Sequence, residues 1–203
     1  EFYQLDFEMS FVTQEDVFNS IEPVLYEVFE ENKNYHTDNK VTVSKYPFKR
    51  ISYSESLELY GTDKPDLRNP LLIKDFTEVF KGSDFKIFSN LIEKNYKVKG
   101  IVVSGTGNKP RSFFDKLNNW AREEGAAGLG YITFNDNEHK GPIAKNLDAN
   151  RLKMFNLKES ESIFFICDKQ KESQLFSGKV REKLCEDLNL LNHNSFEFCW
   201  IID

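Results

Sequence analysis

The first twelve residues alternate between apolar and polar side chains almost without exception. One face carries the apolar set Tyr3, Leu5, Phe7, Met9 and Phe11, and the other carries the polar set Gln4, Asp6, Glu8 and Ser10. A period of two is typical of a half-buried antiparallel strand, so we expect residues 1–12 to form one. Acceptors on its polar face would stand about 6–7 Å apart. That spacing suits a small polar or cationic ligand, and it suits plain exposure to solvent equally.

The segment that follows predicts a long helix from about Gln14 to Glu31. Thr13 can cap it, with Asp16 at the third helical position as an acidic variant of the capping box. Pro23 is expected to kink or loosen it. An apolar stripe at helical spacing is expected to face the core: Val17, Phe18, Ile21, Val24, Leu25, Val28 and Phe29.

A second distinctive feature is the run Tyr60-Gly-Thr-Asp-Lys-Pro-Asp-Leu-Arg68, in which Gly and Pro punctuate four charged side chains. Gly61 is expected to end a short helix that Ser54 caps, and Pro65 fixes the backbone beyond it. Such a rigid stretch presents its charges. Taken alone, it is typical of a solvated loop between helices.

From about Phe85 the pattern changes to short strands alternating with amphipathic helices, which predicts a compact α+β unit of roughly a hundred residues. The expected strands lie at 101–104, 131–134 and 163–167, and the expected helices run from a cap at Ser112 to Gly125 and over 180–188. Before this unit, a short helix is expected at 74–80 and a loop with a short strand at 36–46.

Composition limits the function classes. A net charge of −6 argues against a chain that coats nucleic acid non-specifically. Five basic residues that gather in a short stretch are compatible with a local RNA contact, although such spacing more often gives a solvated face: Lys94, Lys97, Lys99, Lys109 and Arg111. The nineteen Phe residues are interpreted as packing residues rather than base-stacking ones, on apolar faces that include Phe11, Phe18, Phe29, Phe114 and Phe134.

The metal-ligating residue types are scattered. Cys167, Cys185 and Cys199 show no Cys-x-x-Cys spacing, and His36, His139 and His193 lack the paired spacing of a metal site. We therefore expect no disulfide framework and no zinc site, as fits a reducing cytoplasm. The sequence holds no long uncharged apolar run, so neither a transmembrane helix nor a signal peptide is expected.

Both ends of the sequence have the character of interrupted elements. The chain begins without Met inside the alternating segment and stops in an apolar strand over residues 196–203. We expect an excerpt of a larger protein, in which the first and last strands return to one sheet and the α+β unit is inserted between them.

Two of these motifs together resemble the bacterial type of aspartyl-tRNA synthetase, a class II aminoacyl-tRNA synthetase. Residues 2–11 are similar to the second strand of that family's motif 2, and the run over residues 60–68 is similar to its Tyr-Gly-Ser-Asp-Lys-Pro-Asp-Leu-Arg motif. Further segments fall in the order of the family's insertion domain and its return to the catalytic sheet: 98–103, 110–117, 125–129, 141–145, 178–181 and 200–203.

The resemblance implies an α+β fold, part of a class II antiparallel catalytic sheet with an inserted compact α+β domain. Residues 1–80 would belong to the partial catalytic domain, 81–194 to the insertion domain, and 195–203 to a strand returning to the catalytic domain. The implied activity is that of an aspartate–tRNA ligase, a cytoplasmic homodimer that uses ATP and magnesium to form aspartyl-adenylate and passes aspartate to tRNA(Asp). The fragment lacks motif 1, the motif 2 arginine and motif 3, so we expect it to be inactive alone and to hold no cofactor.

Site residues carry over by position. Phe2 matches the aromatic residue that stacks on the adenine of ATP, and Gln4 and Asp6 match residues that face the ammonium group of aspartate. An amide oxygen and a carboxylate on one strand face can both accept hydrogen bonds from an ammonium donor. Tyr3 departs from the family's usual Thr but points to the opposite face. The resemblance assigns no catalytic or metal-ligating residue within the chain.

Two questions stay open. For the charged residues of the 60–68 run, a buried pairing of Asp66 with Arg68 that locks the loop and a contact at the substrate rim are both compatible with the sequence. The inserted unit is also similar to a module of the tRNA-dependent glutamyl amidotransferase, which suggests RNA contact or scaffolding. The alternative function is therefore a stand-alone RNA-binding or interaction module with the insertion-domain fold.

Overall fold

The computed structural model describes residues 2–35 and 40–203, so the first part of the loop predicted over 36–46, which includes His36, lies outside the described residues. The chain divides into two compact units. The first takes the described residues within Glu1–Ile51, Asp66–Arg68 and Asn192–Ile202, and the second takes Ser52–Pro65, Asn69–Leu191 and Asp203. None of the described helices is long and apolar enough to cross a membrane.

Secondary structure follows the sequence pattern over most of the chain. Within the described residues the elements in chain order are α1 (Gln14–Asn32), β1 (Thr42–Val43), β2 (Lys49–Ser52), α2 (Tyr53–Tyr60), β3 (Ile73–Asp75), α3 (Thr77–Phe80), α4 (Lys86–Ile92), β4 (Tyr96–Ser104), α5 (Arg111–Glu123), β5 (Gly130–Asn135), β6 (Glu138–Lys140), a 3-10 turn (Ala144–Asn146), α6 (Ala149–Met154), β7 (Glu161–Lys169), α7 (Gln170–Asp187), β8 (Ser195–Phe196) and β9 (Cys199–Ile202).

The first unit contains α1 and two short strand pairs. β1 runs parallel to β8, and β2 pairs with β9. The capping box predicted for α1 is confirmed, because Thr13 N donates to Asp16 Oδ2 at 2.8 Å and Asp16 N donates to Thr13 Oγ1 at 3.4 Å. The Thr13 hydroxyl also donates to Asp16 Oδ2, at 2.7 Å. The pKa of the Asp16 carboxyl is lowered by the hydrogen bonds that it accepts from Thr13, most by the one from the backbone N–H and next by the one from the hydroxyl. The capping box satisfies amide groups at a helix start that would otherwise lack partners.

Only part of the apolar stripe of α1 is buried, which corrects the prediction that the whole stripe faces the core. Phe18 is buried, whereas Val17, Val24 and Val28 are exposed by 37%, 45% and 53%. Helical spacing identifies an apolar face, but it does not tell which part of that face another element covers.

The second unit is built on a five-stranded antiparallel sheet in the order β3-β4-β7-β5-β6. Side chains of alternate strand residues feed two cores on opposite faces. Ile101 of β4 joins Leu117 of α5 and Leu184 of α7 in one core, while Val98 of β4 joins Phe80 of α3 in the other. The central strands are apolar on both faces because helices cover both.

Three local predictions for this unit need correction. Ser52, not Ser54, caps α2 and accepts from Glu55 N at 3.1 Å, because the helix starts two residues earlier than a cap at Ser54 implies. Pro110, not Ser112, precedes α5, and no side chain caps that helix. The segment expected as a helix over 74–80 is split between the end of β3 and α3. The strands predicted at 101–104, 131–134 and 163–167 are confirmed, each within a longer strand.

Candidate functional site

The segment with the predicted substrate residues has no regular structure. Residues 2–12 form neither helix nor strand, so the strand prediction was wrong here. Their apolar side chains are exposed, with Tyr3 at 99%, Phe7 at 58% and Phe11 at 107%. A strand takes its backbone hydrogen bonds from a neighbouring strand, and this segment pairs with none of the strands in the described part of the chain. The packing role expected for Phe11 is therefore not observed.

Gln4 and Asp6 nevertheless lie side by side. The Gln4 amide nitrogen donates to both carboxylate oxygens of Asp6, at 2.8 and 3.0 Å. The contact brings the two polar side chains together although the segment forms no strand. The amide oxygen and the remaining carboxylate lone pairs are acceptors, the type of group that an ammonium ion requires. The ring of Phe2 is 84% exposed.

The charged run starts at a tightly packed helix end. Gly61 closes α2 in the left-handed region, with φ of 73°, and its N–H donates to Leu57 O at 3.1 Å. A Cβ atom at Gly61 would lie 2.5 Å from both Gln174 O and Gly178 N. Only a residue without a side chain fits here, so α2 and α7 approach each other backbone to backbone.

Asp66 and Arg68 form the ion pair that the sequence left as one of two alternatives, but the pair is half-exposed rather than buried. Arg68 Nε donates to Asp66 Oδ1 at 2.9 Å and a terminal nitrogen donates to Oδ2 at 2.7 Å, with the side chains 36% and 40% exposed. The Arg68 backbone N–H also donates to Asp66, at 3.0 Å. The side-chain hydrogen bond with Asp66 raises the pKa of Arg68. These contacts fit a local lock of the loop.

The other two charges of the run face solvent. Lys64 Nζ lies 2.9 Å from Asp63 Oδ2, and its side chain is 84% exposed. This hydrogen bond is the main cause that lowers the pKa of Asp63. Exposed pairs of this kind contribute little to stability, so they remain available for contacts with other molecules.

A buried carboxylate in the first unit escaped prediction. Glu22 is 1% exposed and accepts hydrogen bonds from Phe48 N at 3.1 Å, from Trp200 Nε1 at 2.8 Å and from Arg50. The ring of Trp200 stacks on Phe18 at 4.3 Å between centroids. These donors come from residues up to 178 positions away, so no local pattern could have identified the site. These hydrogen bonds offset the free-energy cost of burying the Glu22 carboxylate.

The predicted basic stretch does not form one surface, because its central lysine is buried. Lys99 is 1% exposed, forms an ion pair with Glu58, and contacts Asp75 Oδ2 at 3.0 Å. Burial, the largest single influence, acts to raise the pKa of Asp75, but hydrogen bonds from Thr77 and Lys99 outweigh it and lower that pKa. Lys99 thus stabilises the interior and cannot meet an RNA phosphate.

Metal-ligating residues are not grouped in the described ranges. No set of three or more His, Cys, Asp or Glu side chains is placed there to hold a metal ion. The three cysteines are free thiols. Burial, with a contribution from the charge of Asp168, raises the pKa of Cys167 to about 12, so this thiol stays protonated at neutral pH.

Known proteins match the chain from end to end. A family model of class II tRNA synthetases (D, K and N) matches residues 1–203. The chain is 51% identical over 207 residues to the Aspartate--tRNA(Asp/Asn) ligase of Paramagnetospirillum magneticum, covering all of this chain and 23% of the relative. It is 49% identical to the ligase of the same name from Gluconobacter oxydans and 52% identical to that from Acidiphilium cryptum, covering 34% of each. The chain thus spans 23% to 34% of the length of these relatives.

Proposed function

Because the chain belongs to the class II tRNA synthetases of the D, K and N family, we propose that it is part of an aspartate–tRNA ligase. The intact enzyme would activate aspartate with ATP and transfer it to tRNA(Asp). The observation that carries the proposal is about 50% identity over all 203 residues to ligases with this name. A match confined to the second unit would have favoured a stand-alone RNA-binding module instead.

The proposed domain division keeps residues 1–80 in the catalytic domain, 81–194 in an insertion domain, and 195–203 in a strand that returns to the catalytic domain. Its support is the composition of the two units: the first collects residues from both ends of the chain, while the second is almost continuous in sequence. An inserted domain gives this distribution. The compact second unit begins at Ser52, earlier than the proposed insertion boundary at residue 81.

Within the catalytic part, Gln4 and Asp6 are proposed to receive the ammonium group of aspartate, and Phe2 to stack on adenine. The support is chemical: two adjacent acceptors on one side of the chain, and an exposed aromatic ring on the same segment. A carboxylate binds an ammonium ion through charge-assisted hydrogen bonds, which are stronger than neutral ones.

The remaining parts of the proposal concern groups outside this chain. Adenylate formation depends mainly on positioning and on stabilisation of phosphate charge by cations. The described residues offer no acidic cluster that fits Mg²⁺, so no step is assigned to the ion here. The intact enzyme is proposed to act as a cytoplasmic homodimer, and the 203-residue chain alone to lack turnover.

Amino-acid specificity tests the proposal. The full-length protein that contains this chain should catalyse pyrophosphate exchange into ATP with aspartate and not with lysine or asparagine, the other two substrates that the family description covers. Equal or better exchange with lysine or asparagine would refute the aspartate assignment. Measurable exchange by the 203-residue chain alone would refute only its proposed inactivity.

A further inference from the structure

The second unit contains a cavity that none of the proposed substrate contacts uses. Its volume is about 800 Å³, and it is lined by α4, α5, the loop over residues 127–129 with the start of β5, residues 141–143 with the 3-10 turn that follows them, and two residues of β7. Cavities that hold small organic ligands commonly measure about 300–1,000 Å³. The cavity is therefore large enough for one such molecule.

The floor of the cavity is apolar and aromatic. The buried lining residues come from both faces of the sheet: Phe114 belongs to the first core, and Phe88, Ile143 and Phe165 belong to the second. All four are exposed by at most 9%. The ring of Tyr131 stacks on Phe114, with 4.1 Å between centroids and 14° between planes. A floor of this kind favours a planar, largely apolar ligand group, because aromatic faces stack well on one another.

The rim has the opposite character to the protein as a whole. The chain carries a net charge of −6, yet the lining holds three cations, Arg111, Arg122 and Lys145, and a single carboxylate, Asp115. Arg111 Nε lies 3.5 Å from Asp115 Oδ2. Among residues 2–35 and 40–203, the side chains of Arg122 and Lys145 have no hydrogen-bond or ion-pair partner. The rim is therefore suited to an anionic group.

Two neutral polar groups add hydrogen-bonding capacity. The side-chain oxygen of Asn118 accepts from Leu129 N at 2.9 Å, which fixes the amide and leaves its nitrogen as a donor. Burial first, and the charge of Asp115 second, raise the pKa of Tyr131, so its hydroxyl stays protonated at neutral pH. A heterocyclic base offers partners for both groups, which a plain hydrocarbon does not.

We propose that this cavity binds a nucleoside monophosphate unit, with the base on the floor formed by Phe114 and Tyr131 and the phosphate at Arg122 and Lys145. Aromatic stacking and charge-assisted hydrogen bonds act on different parts of such a ligand, and the cavity provides both. Inorganic phosphate would leave the floor unused, and an uncharged nucleoside would leave the cations unused. The unit can belong to a free nucleotide or to an RNA strand.

Calorimetric titration of the 203-residue chain with AMP, GMP, CMP and UMP tests the proposal, with adenosine and inorganic phosphate as partial ligands. At least one nucleotide should bind roughly tenfold or more tightly than either adenosine or phosphate. The double variant Arg122→Gln with Lys145→Gln should lose that advantage while adenosine binding stays unchanged, and Lys116→Gln, an exposed change on α5 outside the lining, should have no effect.

Ala127→Trp, which places an indole at the lining, should abolish binding of nucleotide and nucleoside alike. An RNA hexamer that binds more than about tenfold more tightly than its mononucleotides assigns the ligand to RNA, and similar affinities assign it to free nucleotides. The proposal is overturned if no nucleotide binds at millimolar concentration, if phosphate binds as well as the best nucleotide, or if the double variant binds like the unchanged chain. None of these results depends on aminoacylation activity.

Discussion

Replacing Gly61 by alanine should destabilise the second unit more than the same change at glycines that share only one of its two constraints. Gly61 combines a φ of 73° with backbone atoms only 2.5 Å from the position of a Cβ atom. Gly82 has a φ of 64° with nothing within 4 Å, and Gly178 has an ordinary φ with Gly61 O at 2.8 Å. All three glycines lie in the same unit, so the comparison separates backbone strain from steric overlap.

The expected magnitudes follow from the two costs. A side chain in the left-handed region costs about 1–2 kcal/mol, and overpacking a close contact costs about 1–3 kcal/mol. Gly61→Ala should therefore cost about 2–5 kcal/mol, and Gly82→Ala about 1–2 kcal/mol. Gly178→Ala carries the steric cost but gains about 1 kcal/mol of helix propensity, so it should fall well below Gly61→Ala.

Urea unfolding read by amide hydrogen exchange in β4 and β7 measures the free energy of unfolding of this unit alone. If Gly61→Ala and Gly82→Ala differ by less than about 0.5 kcal/mol, the steric cost is absent. In that case the close approach of α2 to α7 is wrong.

Three further changes test other contacts by urea unfolding. Ser52→Ala should lower the free energy of unfolding by about 1 kcal/mol because it removes the cap of α2, while Ser54→Ala should lower it by less than about 0.5 kcal/mol. Equal effects of the two changes would contradict the cap assignment. Glu22→Gln should cost about 3 kcal/mol or more of unfolding free energy, because it breaks a buried ion pair. The exposed control Glu27→Gln on the same helix should be nearly neutral. A Glu22→Gln variant with unchanged stability would refute the hydrogen-bond network around Glu22. The lowered pKa of Asp75 means that its carboxylate stabilises the folded state above the unfolded pKa of about 3.9, and that this contribution is lost as the pH falls through the lower folded value. The difference in unfolding free energy between the unchanged chain and Asp75→Asn should therefore have its full value at pH 7 and become smaller below about pH 4. A difference that grows on acidification would mean that the pKa of Asp75 is raised in the folded state and not lowered.

Sequence rules succeeded where the determining residues are near one another. The capping box of Thr13 and Asp16 and the helix stop at Gly61 each depend on a few consecutive residues, and both are confirmed. The strands of the second unit were also predictable, because long apolar runs bounded by turn residues mark buried strands. The same alternation placed Gln4 and Asp6 on one side of the chain, although their proposed role came from the family resemblance.

Prediction failed where residues that are distant in sequence determine whether a side chain is buried or a strand is paired. Lys99 reads as one more surface lysine, yet its carboxylate partners, 24 and 41 residues away, hold it inside the second unit. Glu22 likewise depends on Trp200, 178 residues away. The segment over residues 2–12 has the periodicity of a strand but pairs with no described strand, and periodicity alone does not supply a partner. The cavity brings together side chains from Phe85 to Cys167, a set without any sequence motif.

Substrate recognition by Asp6 is the most direct test of the proposed function. In the full-length enzyme, Asp6→Asn removes the charge from a hydrogen bond to the aspartate ammonium group, an interaction worth about 1.5–3 kcal/mol. The KM for aspartate in pyrophosphate exchange should rise roughly 10- to 150-fold, with the KM for ATP unchanged. Glu8→Gln, two residues further along the same segment, is the matched control and should leave both constants unchanged. An aspartate KM that Asp6→Asn leaves unchanged, or alters no more than Glu8→Gln does, would contradict the account.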